Sequence, residues 1–366
     1  MTKELKYGYT TGSSATAAAH AGLLHLLTGE SPTQVTILTP LGKKLTLPVH
    51  AYEEEKDGVR VTVIKDGGDD PDVTHETPIQ CVVSLQKDVP VTLVCILGGR
   101  GVGRVTKPGL PVAVGEPAIN PAPRAQLTQT IRDLLGKYEV TGRVEVTIEV
   151  PEGEQLAPKT LNPRLGVVGG ISILGTRGTV KPFSNAAYLT TIRQCLRTAR
   201  ALDQTSIAFN TGGRSERLLQ SFLPAWPEES FITVADFFAP SMILAAKLGM
   251  DHVVWGVFFG KLVKQALGHP NTHAKNSKID FATLAAWWTD LGLSLEIGMK
   301  IARANTAMQI QDMISREPGH ERYYEALVHR ARQRALEYGK GKPCVDYCLF
   351  DFSGTLLCST LTRETP

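Results

Sequence analysis

From about Asn185 the chain alternates helix-like and strand-like segments, and this alternation restricts the architecture more than any other feature. A helical period runs to about Leu202. It is followed by strand Ser206 to Phe209, helix from Arg214, strand Phe231 to Val234, helix Ser241 to Leu248, strand His252 to Phe258 and helix Lys261 to Leu267. Strands joined through helices run parallel, and their crossovers are right-handed, so the spacing predicts a small Rossmann-like unit. Further on, Phe281 to Trp288 and Tyr323 to Tyr338 read as helices, and Val345 to Leu357 reads as a closing hairpin turned at Ser353-Gly354.

The first half has a different rhythm. Alanine-rich Ala15 to Leu27 predicts a helix capped by a hydroxyl or the glycine of the preceding TTGSS turn. Short runs separated by turn residues, Val35 to Leu38, Lys44 to Val49, Val59 to Ile64, Ile79 to Leu85 and Val91 to Leu97, predict strands. Arg124 to Leu135 reads as a second helix, and Arg143 to Val150 as a half-buried strand. The expected fold class is therefore mixed α+β and α/β: an α+β domain on a mostly antiparallel sheet, plus the smaller Rossmann-like parallel-sheet domain. A chain of 366 residues exceeds what one core usually supports. The expected boundaries are 1–184 for the α+β domain, 185–280 for the α/β domain, and 281–366 for C-terminal helices and a hairpin packed on the others.

Several functional classes are disfavoured. The 39 basic and 36 acidic residues are scattered, with no basic run that would track a phosphate backbone, so nucleic acid is not an expected partner. The start, MTKELKYGYTTG, lacks the apolar core of a signal peptide, and no apolar run reaches the length of a bilayer. A cytoplasmic protein without a membrane partner is expected. The six cysteines contain no C-x-x-C pair and are expected to be reduced and mostly buried. Cys344, Cys348 and Cys358 lie in an apolar segment without the close pairing of zinc ligands.

Chemistry concentrates in IKDGGDDPDVTH, Ile64 to His75, where four carboxylates, two glycines, a lysine and a histidine follow a strand. Charges at Asp69, Asp70 and Asp72 repel one another, and a simple turn needs only one Gly or Asp, so a binding or catalytic loop is expected. In GGRGVGRVTKPGL, glycines 98, 99, 101 and 103 permit either close backbone approach to a ligand or a tight turn with a bulge, with Arg100, Arg104 and Lys107 alongside. TLNPRLGVVGGISILGT offers Asn162 and Arg164, the latter suited to a substrate carboxylate, before a strand interrupted by Gly169-Gly170. The TGGRSE turn brings Gly212 and Gly213 to the carboxyl end of a parallel strand, where such folds place ligands. His269 and His273 of GHPNTH have a metal-like spacing, but Pro270 argues against one helix face, so hydrogen bonding by Asn271, Thr272 and His273 is preferred. The C-terminal LFDFSGTLL imitates a haloacid-dehalogenase start, but Ser353 replaces its second aspartate.

These segments resemble, in order and over roughly residues 7 to 280, the CbiD family, the cobalt-precorrin-5B C(1)-methyltransferases of anaerobic cobalamin biosynthesis. The matching stretches are GYTTGS, IKDGGDDPDVTH, GGRGVGRVTKPGL, GEPAINPAPR, TLNPRLGVVGGISILGT, TGGRSE and GKLVKQALGHPNTH. The chain departs from the family's usual pattern at Ser14, where cysteine is common, at Val257-Phe258, where a Gly-His pair is common, and at Asp236 and Ala239.

The resemblance implies transfer of a methyl group from S-adenosylmethionine, a co-substrate, to C-1 of a cobalt-corrinoid precursor, giving cobalt-precorrin-6A. No protein-bound metal is expected, and neighbouring cobalamin-pathway enzymes are candidate partners. Under this reading Asp69 or His75 handles the proton. Substrate contacts are expected from Asp66, Asp70, Asp72, Arg100, Arg104, Lys107, Asn120, Arg124, Asn162, Arg164, Lys261, Lys264, Thr272 and His273. Cofactor contacts are expected from Thr10, Thr11, Gly98, Gly99, Gly101, Gly103, Gly212 and Gly213. The alternative is a non-catalytic corrinoid carrier or scaffold of the same pathway; a nucleotide-dependent enzyme using TGGRSE lacks a phosphate lysine and a spaced ribose acid.

Overall fold

The computed structural model describes residues 5–87 and 89–361. The first four residues of the N-terminal segment read above lie outside that range. The chain divides into two compact units, Met1–Asn185 and Ala186–Pro366.

In the first unit, helix α1 (Thr11–Thr28) packs on a five-stranded sheet. The alanines of α1 explain how closely it approaches: Ala15, Ala17, Ala18, Ala19 and Ala21 are fully buried, and a Cβ on Gly22 would lie 2.8 Å from a Val83 methyl. Thr10 caps the helix by accepting from Ser13 N–H at 3.2 Å, and Gly29 ends it with φ 76°. The sheet comprises β1 (Ala51–Glu55), β2 (Gly58–Ile64), β3 (Pro78–Gln86), β4 (Leu93–Gly98) and β5 (Arg143–Glu149), in the order β1-β2-β3-β5-β4. All pairs are antiparallel except β4 with β5, because helix α2 (Pro121–Lys137) forms the crossover between those two. Strand β1 escapes a reading by alternation since AYEEE is half-buried at its start and exposed thereafter. Short pairings knit the glycine-rich blocks together: Gly8–Tyr9 with Thr179–Val180, and Arg104–Val105 with Val167–Val168.

The second unit is the expected parallel sheet, larger than the spacing suggested. It holds β6 (Ser206–Asn210), β7 (Phe231–Thr233), β8 (His252–Phe258), β9 (Cys344–Phe350) and β10 (Leu356–Ser359), ordered β7-β6-β8-β9-β10. Helices α3 (Asn185–Ala201), α4 (Gly213–Phe222), α5 (Phe238–Lys247), α6 (Phe259–Ala266), α7 (Phe281–Asp290), α8 (Leu295–Ala302), α9 (Ala307–Ile314) and α10 (His320–Tyr338) complete it. Residues 345–357 do form a hairpin, but its first arm pairs in parallel with β8 from His252–Cys344 to Phe258–Phe350. That arm is therefore an interior strand. Trp255 anchors the core edge-on to Phe209 and Phe238, with ring centroids 5.1 and 5.3 Å away. At the hairpin tip, Asp351 Oδ1 accepts from the N–H groups of Gly354 and Thr355 and from Ser353 Oγ, which gives the dehalogenase-like aspartate a turn-forming task.

No helix among the described residues is long and apolar enough to cross a membrane. All six cysteines are free, but only Cys81 and Cys348 are buried and Cys344 is exposed, contrary to the expectation of mostly buried thiols.

Candidate functional site

The acidic loop leaves β2 at Lys65 and returns through a neck in which Lys65 N–H donates to Thr77 O and Glu76 N–H donates to Lys65 O. Lys65 turns inward and is 1% exposed, its ammonium 2.6 Å from Asp72 Oδ2. The other Asp72 oxygen accepts from Thr74 N–H and Oγ1 at 2.8 and 2.6 Å. Burial pushes the Asp72 carboxyl up, but Lys65 and the Thr74 hydrogen bonds outweigh it and hold the group below the usual carboxylate range.

The remaining carboxylates are also engaged, Asp66 by an ammonium and Asp69 and Asp70 by backbone N–H groups. Asp66 meets the Lys6 ammonium at 2.5 Å and accepts from Gly68 N–H at 2.8 Å; the lysine first and the amide with it hold Asp66 low. Asp69 Oδ2 accepts from Lys6 N–H at 2.7 Å, and Asp69 N–H donates to Lys6 O at 3.0 Å. Asp70 Oδ1 accepts from Phe183 N–H at 2.9 Å. The ring of His75 is exposed, and its Nδ1 lies 2.9 Å from Gly67 N–H, so the neutral imidazole assigned by this network carries its proton on Nε2.

Backbone strain and exposed apolar surface gather on the same loop system. Glu76 and Phe183, neither a glycine, sit at φ 61° and 53°. Phe183 is 68% exposed, Tyr7, which bridges Gly68, is 51% exposed, and Val73 is exposed as well. Lys6, Lys65, Tyr7 and Phe183 were not assigned from the sequence. Lys65, a lysine between a strand end and four aspartates, carried the only local signal.

The first glycine block is a packing device. A Cβ on Gly98 would lie 2.5 Å from Pro117 Cβ, on Gly99 2.7 Å from the Glu149 side chain, on Gly101 (φ 70°) 1.8 Å from Val150 O, and on Gly103 2.8 Å from Gly170 O. Thr10 and Thr11 are likewise engaged, with Thr11 Oγ1 accepting from Leu174 N–H at 2.9 Å. Asn162 donates to Gly170 O and accepts from Ser172 Oγ, which braces its own turn. Asn120 is the residue preceding α2 and makes no side-chain cap. Among the cations, Arg100 and Arg104 are exposed while Arg124 is half-buried. Arg104 donates to Gly115 O and Arg124 to Ile96 O, whereas Lys107 and Arg164 are half-buried.

In the second unit the chain turns from β6 outward to β7 and then crosses back to β8, so the carboxyl ends of β6 and β8 flank the switch point where open α/β sheets take ligands. Gly212 stands there with nothing within 4 Å of its missing Cβ, and Gly213 has only the Arg217 side chain, at 3.6 Å. Asn210 is fully buried with its Nδ2 unpartnered, while its Oδ1 and Glu216 Oε2 each lie 2.8 Å from Thr233 Oγ1. Lys261 is paired with Asp236, which also accepts from Thr272 Oγ1 at 2.9 Å, and Lys264 donates to Thr272 O at 3.0 Å. Burial raises the Asp236 carboxyl, but Lys261 and Thr272 hold it below its usual range; burial, then Lys261, lowers the Lys264 ammonium. Thr272 is 1% exposed, whereas His273 is exposed and accepts from Lys275 N–H at 3.2 Å. His269 bonds Lys278 O instead of joining His273 in a cluster.

Residues 1–182 match the model of the CbiD family, and residues 271–360 match that of the CbiD C-terminal domain. The chain is 44% identical to the cobalt-precorrin-5B C(1)-methyltransferase of Geobacillus sp. strain WCH70, over 99% of this chain and 98% of the relative. It is 44% identical to that of Nitratidesulfovibrio vulgaris (97% and 92%) and 42% identical to that of Thermus thermophilus (99% and 96%). The crystal structure of a cobalamin biosynthesis protein (CbiD) from Archaeoglobus fulgidus is 27% identical, with 70% of this chain and 78% of that chain covered and a TM-score of 0.40.

Proposed function

The chain belongs to the CbiD family, and we propose that it performs the reaction named for its relatives, methylation of C-1 of cobalt-precorrin-5B, with S-adenosylmethionine as donor. The observation that carries this reading is 42–44% identity held over at least 97% of the chain and 92% of each of three relatives. Nearly every segment of those methyltransferases thus has a counterpart here.

S-adenosylmethionine supplies an electrophilic methyl carbon when bound. The residues that fit it best are those at the ends of β6 and β8. Gly212 and Gly213 leave space for an adenosine or methionine moiety, the first turn of α4 presents N–H groups to a carboxylate, and the buried Asn210 amide has an unused donor. The glycines at 98, 99, 101 and 103 support it less, since each faces its own unit's atoms. For the macrocycle, Arg100, Arg104, Lys107, Arg124 and Arg164 of the first unit suit acetate and propionate groups, and the exposed Tyr7 and Phe183 rings suit its apolar faces. The protein's task in such a transfer is alignment and exclusion of water.

Gly212→Val tests the donor site. The backbone there is extended (φ 164°), which valine accepts, and its side chain meets open space, so the protein should keep its melting temperature. Isothermal titration is expected to show S-adenosylmethionine binding at least about tenfold weaker, a loss of roughly 1.4 kcal/mol. Unchanged affinity moves the donor elsewhere.

The reaction itself is tested by mass spectrometry of the corrinoids after anaerobic incubation with methyl-labelled S-adenosylmethionine and cobalt-precorrin-5B. A product one labelled methyl heavier is expected. Corrinoid that stays bound and unmodified identifies a carrier.

A further inference from the structure

At the opposite end of the second unit's sheet, three potential ligands of different chemistry converge. His252 begins β8, Cys344 begins β9, and the parallel register sets them side by side. Asp346 lies two residues along β9, on the same face as Cys344 because strand side chains alternate. His252 Nε2 is 2.8 Å from Asp346 Oδ2, and the ligand atoms of all three residues lie within 4.8 Å of one another.

We propose that His252, Cys344 and Asp346 form a zinc-binding site. A neutral imidazole, a thiolate and a carboxylate together cancel the charge of a divalent cation. Ligands about 2.0–2.3 Å from a tetrahedral ion stand roughly 3.3–3.8 Å apart, within reach of small rotations from the observed arrangement. Asp346 Oδ1 accepts from Thr360 Oγ1 at 2.7 Å and is thereby oriented, and the Trp226 ring stands edge-on to His252 at 6.2 Å. His252 is 8% exposed, whereas Cys344 is exposed. An ion thus enters from the thiol side, displaces the Cys344 proton to solvent and keeps a fourth position for water. The site is separate from the crevice at the carboxyl strand ends by the length of β8, roughly 20 Å at about 3.3 Å per residue.

Neither cysteine spacing nor histidine spacing points to this set, because His252 is 92 and 94 residues from Cys344 and Asp346 and only the β8–β9 register unites them. The proposal runs against the expectation of a protein without bound metal.

Cobalt is the probe. Titrating Co2+ into reduced, chelator-treated full-length protein, free of corrinoid, is expected to give thiolate-to-cobalt charge-transfer absorption and tetrahedral d–d bands that saturate at one equivalent and vanish on adding Zn2+. Cys344→Ser, at an exposed position that should fold normally, abolishes the charge-transfer band, while Cys95→Ser in the first unit retains it. Thr360→Val weakens binding about 10–100-fold. Absence of the band at one equivalent, or its persistence in Cys344→Ser, overturns the proposal.

Discussion

Replacing Asp72 with asparagine is expected to destabilise the first unit by about 3 kcal/mol, the lower end of the range of about 3–5 kcal/mol for breaking a buried ion pair by removing one partner. The cause is the Lys65 ammonium, which is 1% exposed and is left in the interior without the carboxylate that faces it. The lower end applies because the Asp72 side chain is still 23% exposed, so water screens part of the loss. Adding Lys65→Met to Asp72→Asn removes the stranded cation and should restore much of the stability, which separates this mechanism from loss of the Thr74 hydrogen bonds.

Acid titration supplies a second signature. The folded-state pKa of Asp72 is depressed, so its contribution is complete above the ordinary carboxylate range, about 3.9, and fades as pH falls from there through the depressed value. Asp72→Asn should flatten that acid limb. All four tryptophans, at 226, 255, 287 and 288, belong to the second unit, so indole fluorescence misses the event. Hydrogen exchange of peptides spanning residues 59–86 in a urea series reads it directly. A cost under about 1 kcal/mol would show that the pair is screened like a surface salt bridge.

The same loop shows what a sequence can and cannot disclose. Four aspartates in seven residues mark it as more than a turn, and β2 before it follows from alternation in GVRVTVI. Which carboxylate remains for chemistry is non-local information, since Lys6 is 60 and 63 residues from Asp66 and Asp69, and Phe183 is 113 from Asp70. The glycine blocks divide in a similar way: TGGRSE and GGRGVG look alike as strings, yet one leaves open space and the other accommodates closely packed side chains and backbone. The parallel sheet of the second unit was legible because each of β6, β7 and β8 is followed by a helix. Strand β9 was read as a hairpin arm because its antiparallel partner is a few residues away, whereas its parallel partner β8 is about 92 residues earlier. The short helices α8 and α9, eight residues each, offer too few turns for a clear period, and unlike the equally short α6 they follow no strand that would mark them as part of an α/β alternation.

The partners of the acidic loop also separate its two candidates for proton handling, and Asp69→Asn is the variant expected to have the largest effect on turnover. His75 is poorly placed to accept a proton: Nδ1 faces the Gly67 N–H, which leaves Nε2 as the protonated, donating atom. Asp69 binds Lys6 N–H through Oδ2. Its second oxygen makes no hydrogen bond among the described residues and can accept a proton or steady positive charge developing on the macrocycle. Asparagine keeps an oxygen for the Lys6 N–H and so keeps the loop, while losing both the charge and the basicity. We therefore expect kcat to fall by about 10²–10⁴, the usual worth of a general acid–base group, with corrinoid affinity changed by no more than about threefold. His75→Ala, which removes a donor, should instead raise KM and leave kcat within about tenfold. Single-turnover assays with labelled S-adenosylmethionine distinguish the two variants. Wild-type turnover by Asp69→Asn removes Asp69 from proton handling, and a loss of both kcat and hydrogen-exchange protection across residues 65–77 reduces its role to holding the loop.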